Sequence, residues 1–247
     1  MAVNPGALAH EPEARADAKR SERLFFGGMA FALLIAVFVG FAPTYYLRGT
    51  FESPALTPSL QVHGLLFSTW MVLLVVQTSL IAAGKTAVHR RLGIVGAVLG
   101  VLMMVAGGYV AITRAQAGLA VPPPGMTMAV FLTLPLATLV VFPALLGAAL
   151  WYRGRSDFHK RLVLIATLEL VIAAVARWPG VLPLGPIGFY GLTDLFLVAI
   201  ALYDWRSHGH LHPATLWGGL FFLASQPLRL MVGFTPVWIA FTDWLVA

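Results

Sequence analysis

Long apolar runs dominate the chain, and short polar or Pro- and Gly-rich connections separate them. Seven runs approach or exceed the length of about 20 residues that a helix needs to cross a bilayer. The runs are Leu24–Leu47, Leu60–Ala83, Leu92–Thr113, Met126–Tyr152, Leu162–Trp178, Ile187–Tyr203 and Leu211–Leu228. Their lengths predict an all-α fold, a polytopic transmembrane helical bundle of about seven spans.

Two shorter segments flank these runs. Residues 1–22 are polar and mixed in charge, without the cationic start and short apolar core of a signal peptide, so they predict a soluble N-terminal tail. Residues 236–247 are too short to span a membrane and carry Trp238, Phe241 and Trp244, which is typical of an interfacial helix. The seven-helix transmembrane domain is therefore expected over residues 23–235.

A short motif recurs where one apolar run ends and the next begins. Residues 84–92 and 154–162 share the order Gly, Lys or Arg, Thr or Ser, two variable residues, His, two basic residues and Leu. A looser third copy, Arg206-Ser207-x-x-His210, precedes the last run. The motif predicts repeated helical hairpins near residues 60–114 and 126–178, with a weaker third near residues 187–229.

Basic residues concentrate on one side of the predicted membrane domain. The connections after the second, fourth and sixth runs hold Lys85, Arg90, Arg91, Arg153, Arg155, Lys160, Arg161 and Arg206. The opposite connections hold Arg48, Arg114, Arg177 and Arg229. Because loops rich in Lys and Arg stay in the cytoplasm, this bias predicts a cytoplasmic N-terminus and residence in the cytoplasmic (inner) membrane.

The amino-acid composition limits the partners and cofactors that this chain can have. The chain is 59% hydrophobic and 11% charged, which is outside the range of soluble proteins and makes the lipid bilayer its expected partner. The net charge of +6 comes without the aromatic interleaving of a nucleic-acid module, so no nucleic-acid partner is expected. Because the chain has no cysteine, it excludes disulfides, iron–sulfur clusters, thiolate zinc sites and covalently attached haem. Any metal or haem must be held by His, Met or carboxylate.

Histidines at the motif positions are the candidate ligands. His89 and His159 are expected to lie at equal depth, and either His210 or His212 would join them from the third copy. Two of these imidazoles could ligate a haem b, or three of them, His89, His159 and His210, could hold a metal ion. The alternative is structural, because Thr86, Ser156 and Ser207 are natural N-caps and basic residues are expected at that interface whatever the function.

A polar stripe runs along the second predicted helix. His63, Trp70 and Gln77 recur every seven residues and therefore share one face, which must point into the bundle if it lies in hydrocarbon. His63 is a candidate ligand, a proton-relay group or a hydrogen-bonded structural residue.

Two acidic residues lie deep within predicted spans. Glu169 falls midway along the fifth span and Asp194 falls in the sixth. An ionised carboxylate there is costly, so each is expected to be protonated, paired or exposed to water. The candidate partners are Arg177, Arg229, Arg114, His63 and Gln226. Such residues mark a proton, ion or ligand path, or alternatively an interhelical bond that only stabilises the fold.

The segment from His63 to Trp178 resembles an uncharacterised family of bacterial polytopic membrane proteins, a domain of unknown function. The likeness rests on an H-R-x-x-G motif at His89-Arg90-Arg91-Leu92-Gly93 and an H-[RK]-R motif at His159-Lys160-Arg161. The family implies no activity. A looser likeness to b561-type cytochromes rests on histidines in successive helices and implies haem b.

The leading hypothesis is a cofactor-binding membrane redox protein of cytochrome b type, with His89 and His159 as ligands. The alternatives are a proton-coupled or small-molecule transporter that uses Glu169, Asp194 and Arg177, and an assembly or scaffold subunit without chemistry of its own. The sequence leaves open whether the chain is an enzyme, and whether it forms a homo-oligomer or joins a partner membrane subunit.

Overall fold

The computed structural model of the protein describes residues 5–123 and 125–247, with side chains from residue 16 onward. The described residues form eight α-helices and no strand, which confirms the all-α fold class. The helices are α1 Pro5–Phe41, α2 Pro58–Ala82, α3 Thr86–Gln116, α4 Met128–Trp151, α5 Ser156–Val175, α6 Gly185–His208, α7 Pro213–Gly233 and α8 Pro236–Val246. A π-helical turn, Ala42–Tyr46, extends α1, and a 3₁₀ turn, Leu182–Leu184, leads into α6.

Five helices are long and apolar enough to cross a membrane, namely α1, α2, α3, α4 and α6. A sixth candidate is formed by α7 and α8, which are bent by 76° relative to each other. The protein is therefore a multi-pass membrane protein by helix length and composition. The fifth predicted span corresponds to α5, whose charged residues keep it outside this set of candidate spans.

Helix α5 is the most enclosed helix of the bundle. It packs against α1, α4, α6 and α7, and thirteen of its twenty residues are buried. Its buried residues include Arg161 and Glu169, which would be costly on a lipid-facing surface. Enclosure by four other helices places these charges where protein groups, not lipid, surround them.

Glycines allow two of the close helix contacts. A Cβ atom at Gly40 of α1 would collide with the backbone of Ala174 in α5, so the two helices meet there backbone to backbone. On α3, a Cβ atom at Gly100 would lie 2.8 Å from Leu146 of α4. Small residues at such crossings let helices approach within van der Waals contact.

The helix starts differ from the sequence expectation. Thr86 and Ser156 are the first residues of α3 and α5, so the N-cap positions fall on the preceding Lys85 and Arg155, and neither makes a capping side-chain bond. Ser207 lies inside α6, and the N-cap of α7 is not a serine. The predicted N-cap roles of these three hydroxyl residues are therefore wrong, because helical geometry begins one residue earlier or is already in progress.

Both flanking segments are helical. Helix α1 begins at Pro5 and continues without a break from the predicted tail into the first span, while residues 1–4 of that tail lie outside the described residues. Helix α8 lies against α3 and α4, with Trp238 Nε1 donating to the Ala129 carbonyl at 2.8 Å and Gln116 Nε2 donating to the Leu245 carbonyl at 2.9 Å.

Candidate functional site

His89 and His159 lie side by side at one end of the bundle, which we call the histidine end. Each is the fourth residue of its helix, in α3 and α5 respectively. Their ring centres are 6.3 Å apart and the ring planes are nearly perpendicular, at 82°. The expectation that these residues converge therefore agrees with the structure.

The hydrogen bonds of the two imidazoles leave nitrogen atoms unused. His159 Nδ1 lies 2.8 Å from the Ala149 carbonyl, and an N–H donor at this position leaves Nε2 with its lone pair. His89 Nδ1 is buried without a hydrogen-bond partner. The Oε1 atom of Gln77 is likewise buried without a partner, and its Nε2 lies 3.7 Å from the point that a Cβ atom on Gly93 would occupy. Gly93 is one turn from His89, so the amide and the imidazoles share one corner.

The other histidines are placed differently. His212 is the N-cap of α7: its Nδ1 accepts from the Ala214 amide at 3.1 Å, and its Nε2 lies 3.1 Å from Asp157 Oδ2. An acceptor role for Nδ1 puts the proton on Nε2, which then donates to Asp157. Both nitrogens are therefore occupied, which leaves His212 no free atom for the ligand role suggested by sequence. Burial lowers the pKa of His212, which lies between the α6 and α7 helices, although its bond to Asp157 acts in the opposite direction.

No three His, Asp or Glu residues are grouped as a metal-ion site would require, within the parts of the chain that the structure describes. The set of His89, His159 and His210 is thus not assembled in this arrangement, and His210 is exposed. His63 lies near the start of α2, about 21 Å from Gln77 at a rise of 1.5 Å per residue, and cannot join the histidine end. Its ring stacks on Phe67 at 4.2 Å, and its Nδ1 is buried without a partner.

The polar stripe of α2 does face the bundle. Trp70 is buried, and its Nε1 donates to Thr167 Oγ1 of α5 at 3.2 Å. His63 and Gln77 are partly buried on the same face. The stripe therefore packs inward, as its period of seven predicts.

Glu169 belongs to a buried ion pair. Arg229 of α7 donates to both carboxylate oxygens, at 2.8 and 2.9 Å, and Thr138 of α4 donates to Oε1 at 2.7 Å. Arg229 is itself held by the hydroxyl and carbonyl groups of Ser225. All these groups have partners, so the pair joins α4, α5 and α7 without leaving a free proton acceptor.

A second buried ion pair was not anticipated from sequence. Arg161 Nε donates to Asp204 Oδ1 of α6 at 2.9 Å, and both side chains are essentially inaccessible. The Thr215 hydroxyl and the His212 amide donate to Oδ2 of the same carboxylate. The sequence pattern counts Arg161 among the basic residues of a connection between runs. The one sequence signal for the pair is Asp204, an aspartate between two aromatic residues at the end of the sixth apolar run.

The remaining intramembrane candidates lie apart from one another. Asp194 Oδ1 accepts from Gln226 Nε2 of α7 at 2.7 Å. Arg177 lies beyond the end of α5, where it donates to the Ala173 carbonyl at 2.6 Å and covers the ring of Phe41. The three residues proposed for transport, Glu169, Asp194 and Arg177, thus each have a different partner.

Comparison of the chain with protein-family profiles, curated proteins and solved structures finds no match to any of them. The resemblances noted from the motifs therefore stay predictions, and the function must be argued from the residues.

Proposed function

We propose that this chain is a multi-pass membrane electron-transfer protein that binds haem b between His89 and His159. The observation that carries the proposal is the pair of imidazoles whose ring centres lie 6.3 Å apart, each with a nitrogen that makes no hydrogen bond. A metal lying midway between the two rings, bonded to one nitrogen of each at about 2 Å, would put the ring centres roughly 6 Å apart once a ring radius is added on each side. The observed separation fits that value.

Ligand count favours haem over a bare ion. A haem brings most of its iron's ligands with it, so His89 and His159 alone would suffice to hold it, whereas a protein-bound ion needs three or four side chains. Within the described part of the chain, no third His, Asp or Glu joins this pair as a metal site would require. The absence of cysteine requires noncovalent attachment, and the exposed Arg90 and Arg91 beside His89 supply cations for the haem carboxylates. When bound, the haem supplies a one-electron redox couple.

The chain's own contacts would orient the ligands. The Ala149 carbonyl fixes the tautomer and direction of His159, as second-shell acceptors do for metal-binding histidines. Gln77 of α2 places a buried amide oxygen without a partner near Gly93, one turn along α3 from His89. The Ala149 contact thus gives His159 a support from α4.

We also propose that α5 is a seventh span, enclosed by the other helices, and that the histidine end faces the cytoplasm. The enclosure of α5 and the concentration of Lys and Arg near Gly84 and Gly154 support this orientation. Reporter fusions at these two glycines should give cytoplasmic activity. Periplasmic activity at either position would contradict the proposed topology and leave the histidine pair untouched.

The haem proposal is tested by purifying the full chain from haem-replete cells and measuring haem by the pyridine haemochrome and metals by mass spectrometry. We expect one haem per chain in the wild type, and a loss of haem in His89→Ala and His159→Ala.

His208→Ala is the matched control, because His208 is an exposed histidine at the same end. It should keep its haem. Folded wild type without haem would overturn the proposal, as would a haem content that His89→Ala and His159→Ala leave unchanged. A stoichiometric metal content without haem would show that the site binds a bare metal ion and not haem.

A further inference from the structure

Three acids on α5 and α6 differ in how their charge is balanced. Glu169 is paired with Arg229, and Asp204 is paired with Arg161. Asp194 has no cationic partner among the residues that the structure describes, and its one polar contact there is the neutral amide of Gln226. The chain thus neutralises two of these carboxylates with arginine and leaves the third without an opposite charge.

The position of Asp194 makes an uncompensated charge costly. It is the tenth residue of α6, about 14 Å from the start of that helix at 1.5 Å per residue, and so lies near the middle of a hydrocarbon layer about 30 Å thick. It is only partly buried, and its neighbours Gly191 and Leu195 are exposed on the outer surface of the bundle. A carboxylate at the edge of a lipid-facing surface must gain a cation or a proton.

Among the described residues, no Lys or Arg forms an ion pair with Asp194. Arg229 of α7 and Arg161 of α5 are both committed to other carboxylates, and Lys160 of α5 is paired with Glu22 of α1. Arg177, just beyond α5, donates to the Ala173 carbonyl and covers the ring of Phe41. Arg206 lies about 18 Å further along α6, and the cations of α1, Lys19, Arg20 and Arg23, lie at the histidine end, where Arg23 donates to the Ala82 carbonyl. Tyr190 of α6 is buried, and His159 and His212, at the starts of α5 and α7, contact the Ala149 carbonyl and Asp157. A single neutral donor, Gln226 Nε2, bonds Oδ1 and leaves Oδ2 able to carry a proton.

We propose that Asp194 is a proton-binding site that stays protonated at neutral pH and is open to lipid-soluble reagents from the bilayer. This site is separate from the haem proposal and does not depend on it. It predicts selective modification of Asp194 by a hydrophobic carbodiimide.

The chemistry requires the protonated acid. The carboxyl proton passes to a carbodiimide nitrogen while the carboxylate oxygen bonds to the central carbon, and the resulting O-acylisourea rearranges to a stable N-acylurea. No atom is lost and no co-reactant is needed. An ordinary aqueous aspartate is protonated only about one part in a thousand at pH 7, so exposed acids react slowly.

The test is to treat the purified full chain in lipid nanodiscs with dicyclohexylcarbodiimide at neutral pH, and to map the adduct by peptide mass spectrometry. We expect one adduct, on Asp194, formed more than about a hundredfold faster than any adduct on the exposed Asp243 of α8. Because the adduct is mapped on the wild-type protein, this test does not depend on whether any variant folds. Asp194→Asn should abolish the adduct, whereas Asp243→Asn should leave its rate unchanged.

Two results would overturn the proposal. The first is an Asp194 that reacts no faster than Asp243, which would show an ionised carboxylate. The second is strong protection by sodium but not by potassium at constant pH, which would show a metal-cation site instead of a proton site. Loss of labelling as the pH rises, with equal rates in both salts, would support it.

Discussion

The Glu169–Arg229 pair gives the sharpest prediction about stability. Glu169→Leu removes the acceptor of three hydrogen bonds and leaves the Arg229 guanidinium, which is 4% exposed, as an unpaired buried charge. Removing one member of a buried pair costs about 3–5 kcal/mol. Arg229 keeps its bonds to Ser225, and Thr138 keeps a bond to the Leu134 carbonyl, so we expect the lower end, about 3 kcal/mol.

The double variant Glu169→Leu with Arg229→Met separates stranded charge from lost packing. It removes both charges and keeps comparable side-chain length, and such replacements are often nearly neutral. We expect it to recover at least about 2 kcal/mol relative to Glu169→Leu alone. The stability of Glu169→Gln should lie between that of Glu169→Leu and that of the double variant, because the glutamine amide oxygen still accepts from Arg229.

Free energies of unfolding are measured by titrating dodecyl sulfate into mixed micelles and following tryptophan fluorescence. Asp243→Leu, a change at an exposed acid of α8, serves as the control and should have little effect. The reasoning is refuted if Glu169→Leu is within about 0.5 kcal/mol of the wild type, or if the double variant is no more stable than the single one.

Two further predictions concern a helix crossing and a pH dependence. Gly40→Ala should destabilise the bundle by about 1–3 kcal/mol, because its Cβ would meet the Ala174 backbone. Gly28→Ala on the same helix meets no atom within 4 Å and should be neutral or stabilising. The free energies of unfolding of both variants are compared by dodecyl sulfate titration, and equal effects would contradict the close helix crossing. Because the pKa of His212 is lowered in the folded protein, its contribution to stability should be complete above about pH 6.5 and decline as the pH falls below that value. His212→Asn keeps an acceptor for the α7 amide but cannot titrate, so the melting temperature of this variant should fall less as the pH is lowered. An unchanged dependence of the melting temperature on pH would exclude His212 as the source of the decline.

The helices could be predicted because hydropathy is a local property of the chain. Each of the seven apolar runs coincides with much of one observed helix, although the starts were misplaced. Helix α3 begins at Thr86 instead of Leu92, because its first turn is polar and resembles a loop in composition. Helix α5 was predicted as an ordinary span, yet only its neighbours make its charged residues tolerable.

The candidate sites were only partly accessible from sequence, because pairing depends on which helices become neighbours. The two motif histidines occupy the same position in the two copies of the sequence motif, and their ring centres lie 6.3 Å apart in the structure. Glu169 had several candidate cations, and only the packing of α5 against α7 selects Arg229. The pair of Arg161 and Asp204 was missed because Arg161 looked like one more basic residue of a cytoplasmic connection.

The absorbance spectrum of the purified protein tests the central claim, a haem held by His89 and His159, most directly. We expect a Soret band and sharp reduced-state bands, as an iron with two imidazole ligands gives. His159→Ala should retain at most a weakened, five-coordinate spectrum, and added imidazole should restore the wild-type bands in any haem that remains. A wild-type protein that is folded, purified from haem-replete cells and without a Soret band would contradict the account.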